Sequence, residues 1–206
     1  MKTGRFITFE GIDGSGKSTQ ARLFAAYLKA KGGEVVLTRE PGGSHGAEEI
    51  RRLLVEGNPD RWSPETEILL FTAARRDHLE KTILPALDRG ASVVSDRFAD
   101  STRVYQGAAR GDLRALVDQL HDAVIGKEPD LTFVIDMDPA EALRRGLARQ
   151  SGEDRFEDMG AGFQERLRDE FHRLVEEHPD RCHLVDGQHD PDVIAREVAE
   201  IADRAE

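Results

Sequence analysis

Short apolar segments alternate along the chain with longer segments in which apolar residues recur every three to four positions. The short segments predict strands, and the longer segments predict amphipathic helices. Five strands are expected, at residues 6–9, 34–38, 91–95, 131–135 and 182–185. Helices are expected up to residue 31, around 47–56, 64–80, 101–108 and 112–125, at 139–149, up to 177, and from 190 or 191 onward.

Local signals support several of these boundaries. Gly32 and Gly33 end the first helix, and Ser63 caps the helix that has Pro64 at its first position. Segment 91–95 contains almost only small or apolar residues, which is typical of a strand buried on both faces. Strands that alternate with helices imply right-handed crossovers and a parallel sheet with helices on both faces. The sequence therefore predicts a three-layer α/β fold.

No repeat, low-complexity segment or linker divides the chain. Its 206 residues suffice for one α/β domain with a sizeable core but are too few for two ordinary domains. We therefore expect a single domain over residues 1–206. No apolar run approaches about 18 residues, and residues 1–5 lead directly into the first strand. These features predict a cytoplasmic protein without a membrane span or a signal peptide.

The composition restricts the possible partners. The formal net charge of −11 argues against non-specific binding to nucleic acid and against attachment to an anionic membrane. A phosphate-bearing ligand must therefore meet a locally basic pocket. Cys182 is the only cysteine, so an intrachain disulfide is impossible and a cysteine-rich metal site is disfavoured. We expect an inert buried thiol in the fifth strand.

Residues 11–18 read Gly-Ile-Asp-Gly-Ser-Gly-Lys-Ser and match the phosphate-binding pattern G-x-x-x-x-G-K-[ST] at every fixed position. A predicted strand precedes them and a predicted helix follows, which disfavours an incidental glycine-rich turn. In such a loop backbone N–H groups surround phosphate oxygens, Lys17 contacts the β- and γ-phosphates of ATP, and Ser18 binds Mg²⁺. The predicted nucleotide-binding residues are Gly11, Ile12, Asp13, Gly14, Ser15, Gly16, Lys17, Ser18 and Thr19.

A phosphate loop does not by itself define the reaction. A GTPase usually needs an Asn-Lys-x-Asp element, but Asn58 is the only asparagine and lies in a plain turn. The third strand leads into Asp96, a candidate ligand of Mg²⁺ or of its water molecules, and then into Arg97. A simple ATPase has no need of an arginine there, whereas a kinase with a phosphorylated acceptor does. Asp136, after the fourth strand, is a competing candidate for this Mg²⁺-binding acid, but Asp136 and Asp138 suit helix capping before Pro139 equally well, and we prefer the capping interpretation for both.

Further arginines follow the predicted strands. Arg39 ends the second strand, and Arg51 lies one short helix later. Ligands of open parallel sheets bind beyond the carboxyl ends of the strands. We therefore expect Arg39, Asp96 and Arg97 to converge near the phosphate loop.

Phe71 and Arg75 are four residues apart and share one face of a predicted helix. An aromatic plane beside a guanidinium suits a stacked base that carries a carbonyl group. The alternative is a core phenylalanine with a surface arginine, and spacing alone favours this alternative.

Residues 94–106 read Val-Ser-Asp-Arg-Phe-Ala-Asp-Ser-Thr-Arg-Val-Tyr-Gln and resemble the Asp-Arg-Tyr/Phe…Ser…Tyr/Phe signature of the thymidylate kinase family. Similar segments are Phe-Glu-Gly at 9–11, Thr-Arg-Glu-Pro-Gly-Gly at 38–43, Phe-Thr-Ala-Ala-Arg at 71–75 and Pro-Asp-Leu-Thr at 129–132. The resemblance runs from about residue 6 to the last helix. It implies a P-loop nucleoside-monophosphate-kinase-like fold that uses Mg²⁺ and ATP to convert dTMP into dTDP.

The resemblance implies a role for each matched residue. Arg97 and Arg39 would hold the acceptor monophosphate, with Arg51 in the same pocket. Phe71 would stack on thymine, and Arg75 would donate to its O4 atom. The other implied contacts are those of Gln106 with the base, of Ser101 and Thr102 at that end of the pocket, of Tyr105 beneath the sugar and of Asp13 near the sugar 3′-hydroxyl.

Two positions depart from the family pattern. A third position, Gly14, lacks an arginine that some members carry, and a later segment is expected to supply one. Phe98 lacks the hydroxyl of a tyrosine, and Arg103 places an extra charge near the pocket. Gly14 stands where some members carry an arginine, so the polar segment 150–162 is expected to act as a lid that supplies the catalytic arginine. The expected catalytic residues are Lys17, Arg97 and Asp13, with Arg155 as the first lid candidate and Arg149 as the second.

The resemblance also implies a homodimer. Two other functions remain open at this stage. Another nucleotide or nucleoside kinase on the same fold would share the loop, the magnesium-binding acid and the lid. A non-enzymatic switch or assembly module would bind ATP without transferring its phosphoryl group to a nucleotide acceptor.

Overall fold

The structure is a computed structural model that describes residues 4–56, 61–108, 111–147 and 161–205. The five expected strands are present, each within one residue of its predicted bounds. They are β1 (Phe6–Glu10), β2 (Val35–Arg39), β3 (Ser92–Asp96), β4 (Leu131–Asp136) and β5 (Cys182–Asp186). They form one parallel sheet in the order β2-β3-β1-β4-β5, which confirms the α/β prediction.

The predicted helices also lie close to their expected positions, and one short helix at Leu84–Asp88 was not predicted. Ser63 caps its helix by accepting a hydrogen bond from the Thr66 amide at 3.2 Å, as its position before Pro64 predicted. The helices in the described part of the chain are α1 (Lys17–Ala30), α2 (His45–Val55), α3 (Pro64–His78), α4 (Leu84–Asp88), α5 (Ala99–Thr102), α6 (Arg114–Val124), α7 (Pro139–Leu147), α8 (Ala161–Glu177) and α9 (Pro191–Arg204).

Two π-helical turns were not predicted. Leu79–Ile83 joins α3 to α4, and Arg103–Ala108 continues α5. A pattern of 3.6 residues per turn indicates an α-helix and carries no signal for an i→i+5 turn, so the sequence did not reveal these two segments. The second turn matters for the site because it carries Tyr105 and Gln106.

The burial of each strand follows from its place in the sheet. The central β1 is buried throughout, and β3 is buried from Val93 to Ser95, as its composition predicted. The edge strands β2 and β5 are only partly buried. On one face of the sheet, the rings of Phe9, Phe24 and Phe133 contact one another with centroids 5.3–5.8 Å apart. Because both faces of the central strands are covered, polar side chains can reach a ligand only at the strand ends, where the site lies.

Cys182 is buried in β5, as expected. Burial, together with the nearby charge of Asp100, raises the pKa of its thiol to about 12. The thiol is therefore chemically inert at neutral pH. None of the helices in the ranges that the structure describes is long and apolar enough to cross a membrane.

Candidate active site

The phosphate loop connects β1 to α1 at the carboxyl edge of the sheet. Gly14 has a φ of 85°, and a Cβ atom there would lie 1.9 Å from the carbonyl oxygen of Ala142. Only glycine fits this position, so the arginine found here in some family members is excluded by the packing of α7. Gly16 precedes α1 without a side-chain cap, which leaves the first helical N–H groups to bind an anion.

Lys17 lies inside the loop and is buried. Its Nζ atom donates to the Ile12 carbonyl at 3.2 Å and to Asp13 Oδ1 at 3.3 Å. Burial and the charge of Arg97 lower the pKa of the ammonium, while Asp13 and Asp96 oppose this shift. The lysine is therefore held by short-range contacts at the place where the pattern predicted a phosphate-binding cation.

Arg97 connects the phosphate loop to the third strand. Its guanidinium donates to Asp13 Oδ1 at 2.5 Å, to Ser101 Oγ at 2.8 Å and to the Tyr105 hydroxyl at 3.2 Å. The Tyr105 hydroxyl donates in turn to Asp13 Oδ2 at 3.1 Å. Burial raises the pKa of Asp13, but Arg97 and Lys17 outweigh burial and hold it below its ordinary value. Asp13 is thus a carboxylate between two cations.

The backbone of Arg97 is unusual. Its φ of 72° is the only positive value among the described residues other than glycine, a conformation that costs about 1–2 kcal/mol. The Arg97 N–H donates to the Phe9 carbonyl at 2.9 Å, and the Ser95 hydroxyl donates to the Arg97 carbonyl at 2.8 Å. Strain of this kind persists where surrounding contacts over-determine it, often in active sites.

Glu10 binds residues that follow Arg97 in the chain. Its carboxyl group accepts from the Phe98 amide at 2.7 Å and from Ser101 Oγ at 2.5 Å. Burial raises the pKa of Glu10 to about 8, and the charge of Asp100 adds to this shift while Arg97 opposes it. The sequence analysis assigned Glu10 no role. The only available signal was its place in the Phe-Glu-Gly segment directly before the phosphate loop.

The raised pKa of Glu10 predicts a pH dependence of stability. The folded protein keeps a proton that the unfolded chain releases above pH 4.5, so this contribution is full below 4.5 and is lost as the pH rises through about 8. Glu10→Gln, which stays neutral, should therefore gain stability relative to the parent between pH 5 and 9, by on the order of a few kcal/mol. Urea unfolding across this range measures the difference. The exposed Glu34→Gln is the control, and a pH-independent difference for Glu10→Gln would contradict the prediction.

An open cavity lies beside Arg97, lined by arginine, aromatic and hydroxyl side chains. Phe71 and Arg75 both line it, and Arg75 is 3% exposed. The alternative of a core phenylalanine with a surface arginine is therefore wrong. The residues predicted from the sequence that line this cavity are Asp13, Arg51, Phe71, Arg75, Arg97, Ser101, Thr102, Tyr105 and Gln106.

A second cavity lies on the other side of Asp96. Ser18, Asp96 and Arg39 line it. Asp96 Oδ1 is buried and has no hydrogen-bond partner among the described residues. A hydroxyl group and a free carboxylate oxygen are donors that suit Mg²⁺, which is usually held by few protein ligands. These two residues therefore fit the ion that the sequence predicted.

Arg39 does not join Arg97 in the first cavity. It lines the second cavity and pairs with Glu48 at 3.2 Å on an exposed surface. Arg51 does line the first cavity, and its Nη1 atom donates to the Pro41 carbonyl at 2.5 Å. The parallel sheet brings Arg39 beside Asp96 in register, and both residues line the second cavity.

Two interpretations from the sequence were wrong. Arg103 adds no charge to the pocket, because it is buried against Asp100 at 2.8 Å and Glu128 at 2.6 Å. Asp136 is not a helix cap, since Arg168 donates to both of its oxygens. Asp138 caps α7, as expected, by accepting hydrogen bonds from two backbone amides. Local sequence could not reveal Glu128 or Arg168 as partners, because they come from distant segments.

Phe98, which lacks the hydroxyl of a tyrosine, has a structural role that the sequence did not indicate. Its ring is fully buried, packs edge-on against Phe6 with centroids 4.8 Å apart, and lies 5.1 Å below the Arg75 guanidinium.

Arg149, Arg155 and nearly all of the predicted lid at 150–162 lie outside the described residues.

The phosphate loop and the arginine-lined cavity meet at Asp13 and Arg97. A P-loop on a five-stranded parallel sheet, next to a second cavity lined by Arg51, Arg75 and Arg97, defines a P-loop phosphotransferase of the nucleoside-monophosphate-kinase class. Comparison with known proteins agrees. The model of the thymidylate kinase family matches residues 9–198. The chain belongs to the thymidylate kinase family.

Individual relatives are similar over almost the whole chain. A thymidylate kinase of Dinoroseobacter shibae is 68% identical over 195 residues, which are 95% of this chain and 94% of the relative. One of Caulobacter vibrioides is 49% identical over 98% of this chain and 97% of the relative. The crystal structure of thymidylate kinase from Ehrlichia chaffeensis has 40% identity and a TM-score of 0.79, covering 97% of this chain and 98% of that chain. The family and fold predicted from the sequence are confirmed.

Proposed function

We propose that the chain transfers the γ-phosphoryl group of ATP to the phosphate of dTMP, giving ADP and dTDP. The observation that carries this proposal is the meeting of two sites. The phosphate loop and the arginine-lined cavity share Asp13, whose carboxylate contacts Lys17 on one side and Arg97 on the other. A donor phosphate beside Lys17 and an acceptor phosphate beside Arg97 would therefore be neighbours.

Each group has a defined task in this reaction. Lys17 and the loop amides bind the β- and γ-phosphates and neutralise charge in the transition state. Ser18 and Asp96 would hold Mg²⁺, which, when bound, neutralises further phosphate charge. Arg97 orients the acceptor phosphate, and its Nε–H makes no hydrogen bond within the described part of the chain. Charge placement and alignment account for most catalysis in phosphoryl transfer.

The remaining cavity residues suit a deoxynucleoside. Phe71 offers a ring face for the base, and Arg75 offers donors to a base carbonyl. Gln106 Nε2 is held by Glu67 at 3.3 Å, which orients its amide at the base end. Tyr105, held between Asp13 and Arg97, forms the wall beneath the space that we assign to the sugar. Ser101 and Thr102 complete that wall.

Several assignments stay predictions. A role for Arg39 in holding the acceptor phosphate and a homodimeric assembly rest on the family resemblance. A catalytic contribution of Arg155 or Arg149 rests on the resemblance and on the polar segment 150–162, and a cytoplasmic location rests on the sequence. The geometry of Arg39 argues for a place nearer the magnesium site than the base, since it shares the second cavity with Asp96.

A scan of monophosphate acceptors tests the proposal. With ATP and Mg²⁺, ADP formation is measured for dTMP, dUMP, CMP and AMP. We expect dTMP to be the preferred acceptor. A different preferred acceptor would indicate another nucleotide kinase, and ATP turnover that ignores all acceptors would indicate a nucleotide switch.

Arg75→Ala should damage dTMP binding selectively. Loss of a charge-assisted hydrogen bond to the base costs about 1.5–3 kcal/mol, which corresponds to a rise in KM for dTMP of about tenfold to hundredfold. KM for ATP should remain almost unchanged, because Arg75 lies in the cavity away from the phosphate loop. The control is Arg76→Ala, which removes the next residue of α3, an exposed arginine paired with Glu80. An equal rise in both KM values would mean that Arg75 does not contact the base.

A further inference from the structure

Arg75 is held by a buried chain of hydrogen bonds that reaches back to β2. Its Nε atom donates to Glu40 Oε2 at 2.8 Å. The other oxygen of Glu40 lies 2.9 Å from His78 Nδ1, and His78 Nε2 lies 2.8 Å from Thr38 Oγ1. Glu40 and His78 are buried, and Glu40 lines the cavity together with Arg75. Neither Glu40 nor His78 has a role in the proposed reaction so far.

The direction of these hydrogen bonds follows from the chemistry of each group. A carboxylate only accepts hydrogen bonds, so Nδ1 of His78 carries the hydrogen that it donates to Glu40. In the neutral ring, Nε2 then accepts from the Thr38 hydroxyl. Gly43 leaves room for this arrangement, because a Cβ atom there would lie 2.4 Å from both His78 Nε2 and Thr38 Oγ1. The chain is therefore built into the packing of the β2–α2 loop.

Arg75 has only one nitrogen left for a ligand. Nε is bound to Glu40, and Nη2 donates to the Phe98 carbonyl at 3.1 Å and to Thr102 Oγ1 at 2.9 Å. The Nη1 atom has no hydrogen bond to any residue that the structure describes. The Phe98 ring covers one face of the guanidinium. A planar guanidinium that is fixed in this way presents two N–H donors and no acceptor to the cavity.

Glu40 matters for selectivity as well as for position. A carboxylate that lines a base pocket would attract the amino group of a base such as cytosine. Here each of its oxygens already accepts one hydrogen bond, from Arg75 and from His78. The cavity wall therefore offers a donor to a base carbonyl, while an amino group would have to compete with two protein donors for the carboxylate.

Building on the proposed function, we propose that Glu40 and His78 are positioning residues that hold Arg75 as a donor and thereby select a 4-oxo over a 4-amino pyrimidine. Glu40 fixes the plane of the guanidinium. His78 fixes Glu40 and competes with a base for its second oxygen. Neither residue takes part in phosphoryl transfer, so the effect falls on acceptor recognition and not on ATP.

The test compares four variants with the parent: Glu40→Gln, His78→Leu, His78→Gln and Thr38→Val. For each, KM for dTMP, KM for ATP and the ratio of kcat/KM for dTMP to that for dCMP are measured. Glu40→Gln and His78→Leu should raise KM for dTMP and lower the ratio by about tenfold or more, while KM for ATP changes less than about twofold. His78→Gln should recover part of the loss, since its amide can both donate to Glu40 and accept from Thr38.

The control variant is Glu128→Gln. Glu128 binds Arg103 at 2.6 Å and does not line the cavity, so its loss tests the general effect of removing a carboxylate from an arginine network. Glu128→Gln should shift the midpoint of thermal unfolding and leave the ratio of kcat/KM for dTMP to that for dCMP unchanged. If His78→Leu does not fold, Thr38→Val and His78→Gln carry the test, with a smaller change in the same direction expected for Thr38→Val.

Two results would overturn the inference. Folded Glu40→Gln and His78→Leu variants with the parental KM for dTMP and the parental ratio would show that the chain only stabilises the fold. An equal rise in KM for dTMP and for ATP would show that the effect is not directed at the base. The proposed function fails separately, if the parent protein does not phosphorylate dTMP.

Discussion

Lys17→Ala is expected to lower kcat by at least about 10³-fold, because transition-state charge on the β- and γ-phosphates then lacks its nearest cation. The fold should survive the change. Asp13, which loses one partner, keeps Arg97 at 2.5 Å, so no buried carboxylate is left without a cation. The sheet does not depend on the ammonium, whose described hydrogen bonds are both within the loop.

A coupled assay of ADP formation measures the effect of Lys17→Ala, and thermal unfolding shows whether the variant is folded. Lys17→Met retains the apolar stem and separates the loss of charge from the loss of packing. Lys29→Ala, at an exposed position on the same helix, is the matched control and should keep parental activity. A folded Lys17→Ala protein with activity within a few-fold of the parent would refute the assignment.

Arg97→Ala should lower kcat/KM for dTMP by about 10²–10³-fold, the usual range for removing a preorganised charged donor. Arg97 is the group at which the acceptor cavity and the phosphate loop meet, so its loss removes both a phosphate ligand and the clamp on Asp13. KM for ATP should change much less, because Lys17 and the loop amides remain in place. Removal of the side chain also leaves the backbone strain at φ 72° in place.

Steady-state kinetics with each substrate varied in turn separates these effects. Arg97→Lys provides a second variant, since it keeps the charge but not the forked geometry that joins Asp13 to Ser101. We expect it to remain well below the parent. Arg89→Ala removes an exposed arginine paired with Glu34 and should be neutral. Parental kcat/KM for dTMP in a folded Arg97→Ala protein would contradict the proposed mechanism.

The secondary structure and the phosphate loop follow from the sequence because they depend on short-range physics. Alternating apolar runs and helical periodicity placed all five strands, and the spacing of residues 11–18 defined the loop before any fold was known. Asp96 and Arg97 could be placed near the loop because parallel strands end at one edge of a sheet. These predictions depend only on residues that are close in sequence and on the parallel direction of the strands.

The partners of the charged side chains could not be predicted in the same way. Arg75 and Arg103 are both arginines on helices, yet only Arg75 lines the cavity, because Glu40 and Phe98 hold it there while Asp100 and Glu128 draw Arg103 into the interior. These partners lie up to 35 residues away in the sequence. No local pattern encodes such a contact.

The sequence by itself therefore determined the family, the α/β architecture and the phosphate-binding loop, since each resides in contiguous residues with a fixed spacing. The tertiary structure decided which ionisable groups are buried together: Glu10 under Arg97, Glu40 and His78 behind Arg75, and Asp136 against α8. Burial makes an unpaired charge costly, so Glu40 and Asp136 bind arginines from distant segments, whereas Glu10 keeps its proton. The orientation of the donors in the cavity is set by those pairings, and it exists only once the distant segments have packed.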